Sequence, residues 1–233
     1  MFPLHDDNPT RITPYFTILF IVSCVLIFFW QLSLGPLGQK AVYSLGMIPA
    51  VIFNLKQLAP ELVSVPPLAT FFTSMFLHGG WMHLVGNMLY LWIFGNNIED
   101  AMGHGRFIVF YLTCGVAAAL AQAIPAPDSA IPMIGASGAI SGVLGAYLLL
   151  YPHARVLVAI PFGFYLHTMR IKAGWVLGFW FVLQITNSIM TGDQQGGVAW
   201  GAHIGGFIAG MALVPFFKLK SFRLFAPARD YHR

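Results

Sequence analysis

Charge is what this sequence has least of. Only 9% of its 233 residues are Asp, Glu, Lys or Arg, against about a quarter in a soluble globular domain. A water-exposed surface cannot be assembled from so few charges, so lipid must cover much of the molecule. Acids are the scarcer sign. All eight (Asp6, Asp7, Glu61, Glu99, Asp100, Asp128, Asp193 and Asp230) lie in stretches that read as tails, loops or span edges. That placement argues against an aspartyl protease, which needs paired carboxylates inside the membrane. Cysteine is nearly absent, and Cys24 and Cys114 both fall within apolar runs, which suits packing better than a disulfide framework or an activated thiolate. There is no HExxH segment to indicate a zinc hydrolase. Nor is there a GxSxG elbow, because Ala139 stands where its second glycine belongs.

What is present is length in apolar runs. Hydrophobic residues make up 58% of the chain and the mean hydropathy is +0.74. A helix needs about 20 apolar residues to cross the hydrocarbon core. Six segments are predicted to do so: Tyr15–Leu34, Met82–Ile98, Phe107–Ile124, Ile134–Tyr151, Ala173–Met190 and Ala199–Phe217. The first has no small-residue cleavage site after it and reads as a retained anchor. The shorter piece Val156–Leu166, broken by Pro161 and Gly163, is expected to be an interfacial loop.

The basic residues orient these spans. With the N-terminus in the cytoplasm, that side holds Arg11, Arg106, Arg155, Arg170, Lys172, Lys218, Lys220, Arg223, Arg229 and Arg233; the far side holds Lys40 and Lys56. This is a strong positive-inside bias, and it accounts for the sequence pI of about 9.2 without invoking nucleic acid. The expected architecture is an all-α membrane protein: a six-helix bundle over residues 15–217 with both termini cytoplasmic. Residues 1–14 and 218–233 form tails. Gly35–Trp81 is a large first outside loop whose Phe53, Phe71, Phe72, Phe76 and Trp81 suit the headgroup region.

Polar groups inside spans are costly, so each is a functional candidate. His83 and Asn87 stand four residues apart on one face of the second span. The fourth span begins Gly135-Ala136-Ser137-Gly138 and the sixth begins Gly201-Ala202-His203. All three enter from outside, so topology alone sets these groups at similar depth. Gly138, Gly142 and Gly145 form a smooth strip on the fourth span, and Gly206 and Gly210 form another on the sixth. Small residues at such spacing let helices approach closely in lipid; if the two strips pack together, Ser137 and His203 meet. The chemistry this supports is acyl transfer, with Ser137 as nucleophile and His203 as its base. His83, Asn87 and a backbone N–H near Ser137 are available to an oxyanion. No acid is placed to orient His203, which predicts a Ser–His dyad. Ser141 is expected to pack. Trp175, Phe179 and Trp180 are expected to face lipid or a partner, and His104, His153 and His167 to be solvated or interfacial.

At these residues the chain resembles the rhomboid intramembrane serine proteases. The resemblance is carried by FLHGGWMHLVGNM (Phe76–Met88), FGNNIED (Phe94–Asp100), GASG (Gly135–Gly138) and AHIGGFIAG (Ala202–Gly210). It implies that Ser137 is the nucleophile, His203 the general base, and His83 and Asn87 the oxyanion-stabilising pair. It further implies that Gly135 and Gly138 flank the nucleophile, Gly206 and Gly210 pack helices, and His78 has a structural role. Two departures stand out. The Trp-Arg pair many members carry in the first outside loop is missing, and Ser141 occupies a position where some members have an aromatic that packs on the base.

The implied activity is endoproteolysis of single-pass membrane substrates in the bilayer, with no cofactor, metal or nucleic acid. Entry is expected beside the fifth span under a cap, Thr191–Val198, containing Gly192, Gly196 and Gly197. The lack of a transit peptide or long extramembrane domain points to a prokaryotic plasma membrane. Competing readings are a transporter, a protein binding metal through His78, His83 and His203, and a non-catalytic binder of transmembrane helices.

Overall fold

The computed structural model describes residues 2–162, 165–191 and 197–225. The chain is mostly helical. Its long helices are α1 (Tyr15–Ser33), α7 (His104–Ala123), α9 (Ala173–Thr191) and α10 (Trp200–Phe217), and between them lie α2 (Gly38–Leu45), α3 (Pro49–Ile52), α4 (Thr70–Thr73), α5 (Trp81–Tyr90), α6 (Asn96–Met102) and α8 (Ser137–Leu150). Among the described residues, four helices are long and apolar enough to cross a membrane, or five if the bent pair Pro60–Phe76 and Trp81–Met102 is one span. The expected second span is not a uniform helix: a π-helical stretch, Leu91–Gly95, joins α5 to α6. The expected fourth span is the 14-residue α8, about 21 Å long at 1.5 Å per residue.

The architecture is not all-α. Strand β1 (Phe2–Asp6) pairs with β2 (Arg155–Phe162), which pairs with β3 (Tyr165–Lys172), all antiparallel. This corrects the expected interfacial loop at Val156–Leu166. Val156, Val158 and Ile160 are β-branched and favour strands, and Val156 and Val158 are wholly buried. The Pro161 that looked like a loop breaker lies in β2 opposite Leu166, with Phe162 opposite Tyr165; Gly163 lies outside the described residues. Part of the expected N-terminal tail is likewise ordered as β1. Tyr147 of α8 donates its phenolic hydrogen to Asp6 Oδ2 at 2.5 Å, and Asp7 Oδ1 accepts from the Arg155 backbone N–H.

One acid fixes the start of α1. Glu99, fully buried at the head of α6, accepts from the backbone N–H groups of Phe16 (3.0 Å) and Thr17 (2.8 Å) and from the Thr17 hydroxyl (2.8 Å). A helix start leaves its first N–H groups without partners and favours negative charge, so a carboxylate from a distant segment caps α1. His104 lies 2.6 Å from the same carboxylate and packs against the rings of Tyr15 and Phe16. It is thus a structural partner rather than a merely solvated histidine.

At the same end of the molecule, Leu219 N–H bonds to the Ala101 carbonyl and the Arg11 guanidinium lies 5.3 Å from the Phe222 ring centroid. The segment after α10 and the segment before α1 therefore share one end of the bundle. At the opposite end the long connection 35–81 is tied down at several points. Met47 bridges Met133, Thr73 donates to the Leu45 carbonyl, and the Gln31 side chain bonds both backbone groups of His78. These bonds hold the connection in the absence of a Trp-Arg pair. Phe71 is buried there and Phe76 packs on Phe20; Phe53, Phe72 and Trp81 are exposed.

Helix α8 sits at the centre, buried along nearly its whole length. Its neighbours approach at backbone distance. A Cβ at Gly206 would run into the Gly138 carbonyl oxygen, one at Gly210 into the Gly142 carbonyl, and one at Gly145 into the Phe207 carbonyl. On its other side, a Cβ at Gly138 would come within 2.6 Å of the Ala118 methyl on α7. The small residues of α8 and α10 thus meet face to face, and this contact sets the register between Ser137 and His203.

Candidate active site

Ser137 is the first residue of α8 and His203 lies in the first turn of α10. Ser137 Oγ lies 2.8 Å from His203 Nε2, within hydrogen-bond reach for proton transfer. The start of α10 is positioned by Gln122 of α7, whose Oε1 accepts from the Ala202 N–H at 3.1 Å. Before Ser137 the chain turns through Gly135, whose φ of +120° is a conformation side chains rarely adopt. Its N–H bonds to the Ser74 carbonyl at 2.9 Å. A Cβ at Gly135 would stand 2.6 Å from His83 Nε2, so glycine is required there for space as well as for backbone conformation.

His83 and Asn87 project from α5 into the same cavity as Ser137 and His203, a space of about 770 Å³. His83 Nδ1 accepts the Gly79 N–H at 3.3 Å, so in the neutral ring the proton resides on Nε2, the nitrogen nearest Gly135. Asn87 is buried and its Nδ2 donor has no hydrogen-bond partner among the described residues. A buried amide without a partner is costly, and this one borders the cavity that Ser137 enters. No side chain caps the first turn of α8, which leaves the initial N–H groups of that helix open at the same place.

The other residues singled out by sequence lie close by. His78 is buried beyond the cavity wall, with Nδ1 3.2 Å from the Phe76 carbonyl and its ring against that of His83. Gly206 and Gly210 are at the α8–α10 contact described above. Ser141 bonds back to the Ser137 carbonyl at 2.7 Å within α8. Among the described residues, no three His, Cys, Asp or Glu side chains are grouped so as to hold a metal ion. Most of the expected cap, including Gly192 and Gly196, lies outside the described residues.

Sequence reasoning missed the contact that faces the base. Gln184 of α9 is buried, and its Oε1 is 2.9 Å from His203 Nδ1. Trp180, expected to face lipid or a partner, instead lies with its ring centroid 6.0 Å from that of His203 and 5.9 Å from that of Phe207. The available signal was a glutamine within a span, one helical turn after Trp180.

The rhomboid domain model matches residues 66–219, about two thirds of the chain. The chain belongs to the rhomboid family. It is 32% identical over 201 residues to the rhomboid protease GluP of Bacillus subtilis, covering 86% of this chain and 35% of that protein. It is 30% identical over 144 residues to the mitochondrial rhomboid protein 1 of Saccharomyces cerevisiae, covering 59% and 38%. A rhomboid-like protease 5 of Toxoplasma gondii is 33% identical over 158 residues, covering 65% and 16%. The chain therefore spans between about one sixth and two fifths of the length of these relatives. Rhomboids are in general intramembrane serine proteases, and the apolar helices described here fit a multi-pass membrane protein.

Proposed function

We propose that this rhomboid is an intramembrane serine endopeptidase in which Ser137 and His203 form a catalytic dyad. The observation that carries the reading is the 2.8 Å contact between Ser137 Oγ and His203 Nε2, in a cavity shared with His83 and Asn87. Ser137 Oγ attacks the scissile carbonyl carbon while His203 Nε2 takes the hydroxyl proton. The negative charge formed on the carbonyl oxygen is met by the His83 Nε2–H, the Asn87 amide and a backbone N–H at the start of α8. Collapse breaks the C–N bond as His203 returns the proton to the leaving amine. Water, deprotonated by His203, then adds to the acyl-enzyme and releases Ser137. His78, Gly135, Gly138, Gly206 and Gly210 hold this arrangement without touching substrate.

The short α8 supports a site below the membrane surface. About 21 Å of helix falls short of the roughly 30 Å hydrocarbon core, so a cavity at its head reaches into the bilayer depth while admitting water. In this reading six segments traverse the membrane, the ends tied together near Arg11 and Phe222 face the cytoplasm, and the cavity opens to the other side. The substrates are single-pass membrane proteins. A transmembrane helix hides its peptide bonds in its own hydrogen bonds, so the cleaved segment is locally unwound. It enters beside α9. The membrane is a prokaryotic plasma membrane.

The test is fluorophosphonate labelling of the purified protein with the adduct mapped by peptide mass. A single adduct on Ser137, lost in His203→Ala, is expected. An intact protein that neither labels nor cleaves a reporter helix would be a binder of transmembrane helices instead.

A further inference from the structure

We propose that Gln184 is the positioning residue for His203, so that the docking of α9 against α10 sets the tautomer and orientation of the base. The proposal rests on the protease reading above and adds a component to it.

Helix α9 is exposed along much of its surface, with Trp175 75%, Phe179 53% and Ile189 78% accessible. Its inward side is expected to be apolar, yet Gln184 is buried, at 5% exposure, the one such polar side chain among the described residues of this helix. A leucine there would fill similar space without the desolvation penalty of an amide. Both ends of the Gln184 amide are instead used. Its Nε2 donates to the Trp180 carbonyl at 3.1 Å, and a carbonyl can only accept, so the opposite atom facing His203 is the oxygen. An acceptor 2.9 Å from Nδ1 requires the His203 proton to be on Nδ1. That leaves the lone pair of Nε2 free to receive the Ser137 proton, which is the form a general base needs.

The same turn of α9 supplies the packing. Phe181 stacks on Phe207 with centroids 4.4 Å apart at 16°, and Trp180 lies over the His203 edge of α10. The hydrogen bond and these ring contacts form or break together, so displacement of α9 removes the acceptor from the base. Ser141, in the position where some rhomboids have an aromatic, bonds its own helix instead. Support for His203 therefore comes from α9 rather than α8.

The experiment compares wild type, Gln184→Leu and Gln184→Glu as purified full chains. It measures kcat and KM on a reporter helix, the rate of fluorophosphonate labelling at Ser137, and the ¹⁵N-histidine spectrum. Gln184→Leu should lower kcat and the labelling rate on the order of tenfold to a hundredfold, with KM within about twofold and thermal stability unaltered. The Nδ1–H signal of His203, assigned by its loss in His203→Ala, should disappear with it. Gln184→Glu keeps an acceptor toward Nδ1 but loses the donation to the Trp180 carbonyl, so it should recover part of the rate. Unchanged kcat, labelling and tautomer in Gln184→Leu, with a wild type that labels at Ser137, would overturn this proposal alone. A folded wild type that does not label would overturn the protease reading and this proposal with it.

Discussion

Ser137 Oγ and His203 Nε2 lie 2.8 Å apart although 66 residues separate them in the chain. What closes that gap is not an interaction between the two residues but the glycine contact below them, where α10 rides directly on the backbone of α8. The candidate dyad therefore has two kinds of dependence, one on its own atoms and one on helix spacing, and they can be separated experimentally.

Removing the atoms themselves should abolish chemistry without unfolding the protein. Ser137→Ala and His203→Ala are each expected to reduce reporter-helix cleavage by about 10³-fold or more, with the melting temperature within a few degrees of wild type. Substantial cleavage by Ser137→Ala would move the nucleophile elsewhere.

The spacing can be disturbed at a distance. Gly210→Val places side-chain atoms against the Gly142 carbonyl, two helical turns from His203. Overpacking of this kind costs about 1–3 kcal/mol, and more where backbone must move. Lower thermal stability together with loss of fluorophosphonate labelling is expected; a stable, fully labelling variant would show that helix contact does not set the geometry.

Asn87 offers a donor with no partner among the described residues, so its value should be realised only when an oxyanion forms. Asn87→Ala is expected to lower kcat by about 10²-fold with little change in KM, and to leave stability level or slightly improved. A rise in KM with kcat preserved would assign Asn87 to substrate binding instead.

The N-terminal strand carries a pH signature. Burial pushes the Asp6 carboxyl up from 3.8 to about 6, opposed in part by its hydrogen bond from Tyr147. The folded state therefore holds the proton more tightly than the unfolded state. The stabilisation is fully present below about pH 3.8 and is lost as pH rises through about 6, an effect on the order of 3 kcal/mol. Thermal denaturation across that window should show a downward trend with pH from this group, and Asp6→Asn should flatten it. An identical pH profile in the variant would show that Asp6 does not titrate there.

Glu99 is a buried acid whose two side-chain oxygens both have hydrogen-bond partners. Glu99→Ala would leave the Phe16 and Thr17 N–H groups and the Thr17 hydroxyl without their acceptor. A loss of about 3–5 kcal/mol is expected, read as a fall in melting temperature; a variant as stable as wild type would mean that another group caps α1.

The candidate site was legible in the sequence because its polar residues stand against an apolar background. Ser137, His203, His83 and Asn87 stood out since polar groups in spans are rare, and periodicity showed that His83 and Asn87 share a face. The glycine spacing gave the strips that meet between α8 and α10. Where the reading failed, length was the misleading cue. Val156–Leu166 was too short for a span and was assigned to a loop, although its β-branched residues form the central strand of a sheet. Glu99 and His104 looked like edge residues, and only their contact with α1 reveals them as a cap.

Sequence by itself determined that the chain belongs in a membrane and which polar side chains are candidates for its chemistry, because both follow from residue type and linear order. It could not determine what faces those side chains from other helices. Gln184 lies on α9, 19 positions before His203, and no periodicity within one helix reports which residue of its neighbour it meets. That pairing depends on the angle and depth at which α9 docks, set by Trp180 and Phe181 against α10. Polar identity is written in each residue, but the partner that satisfies it is decided only when the helices pack.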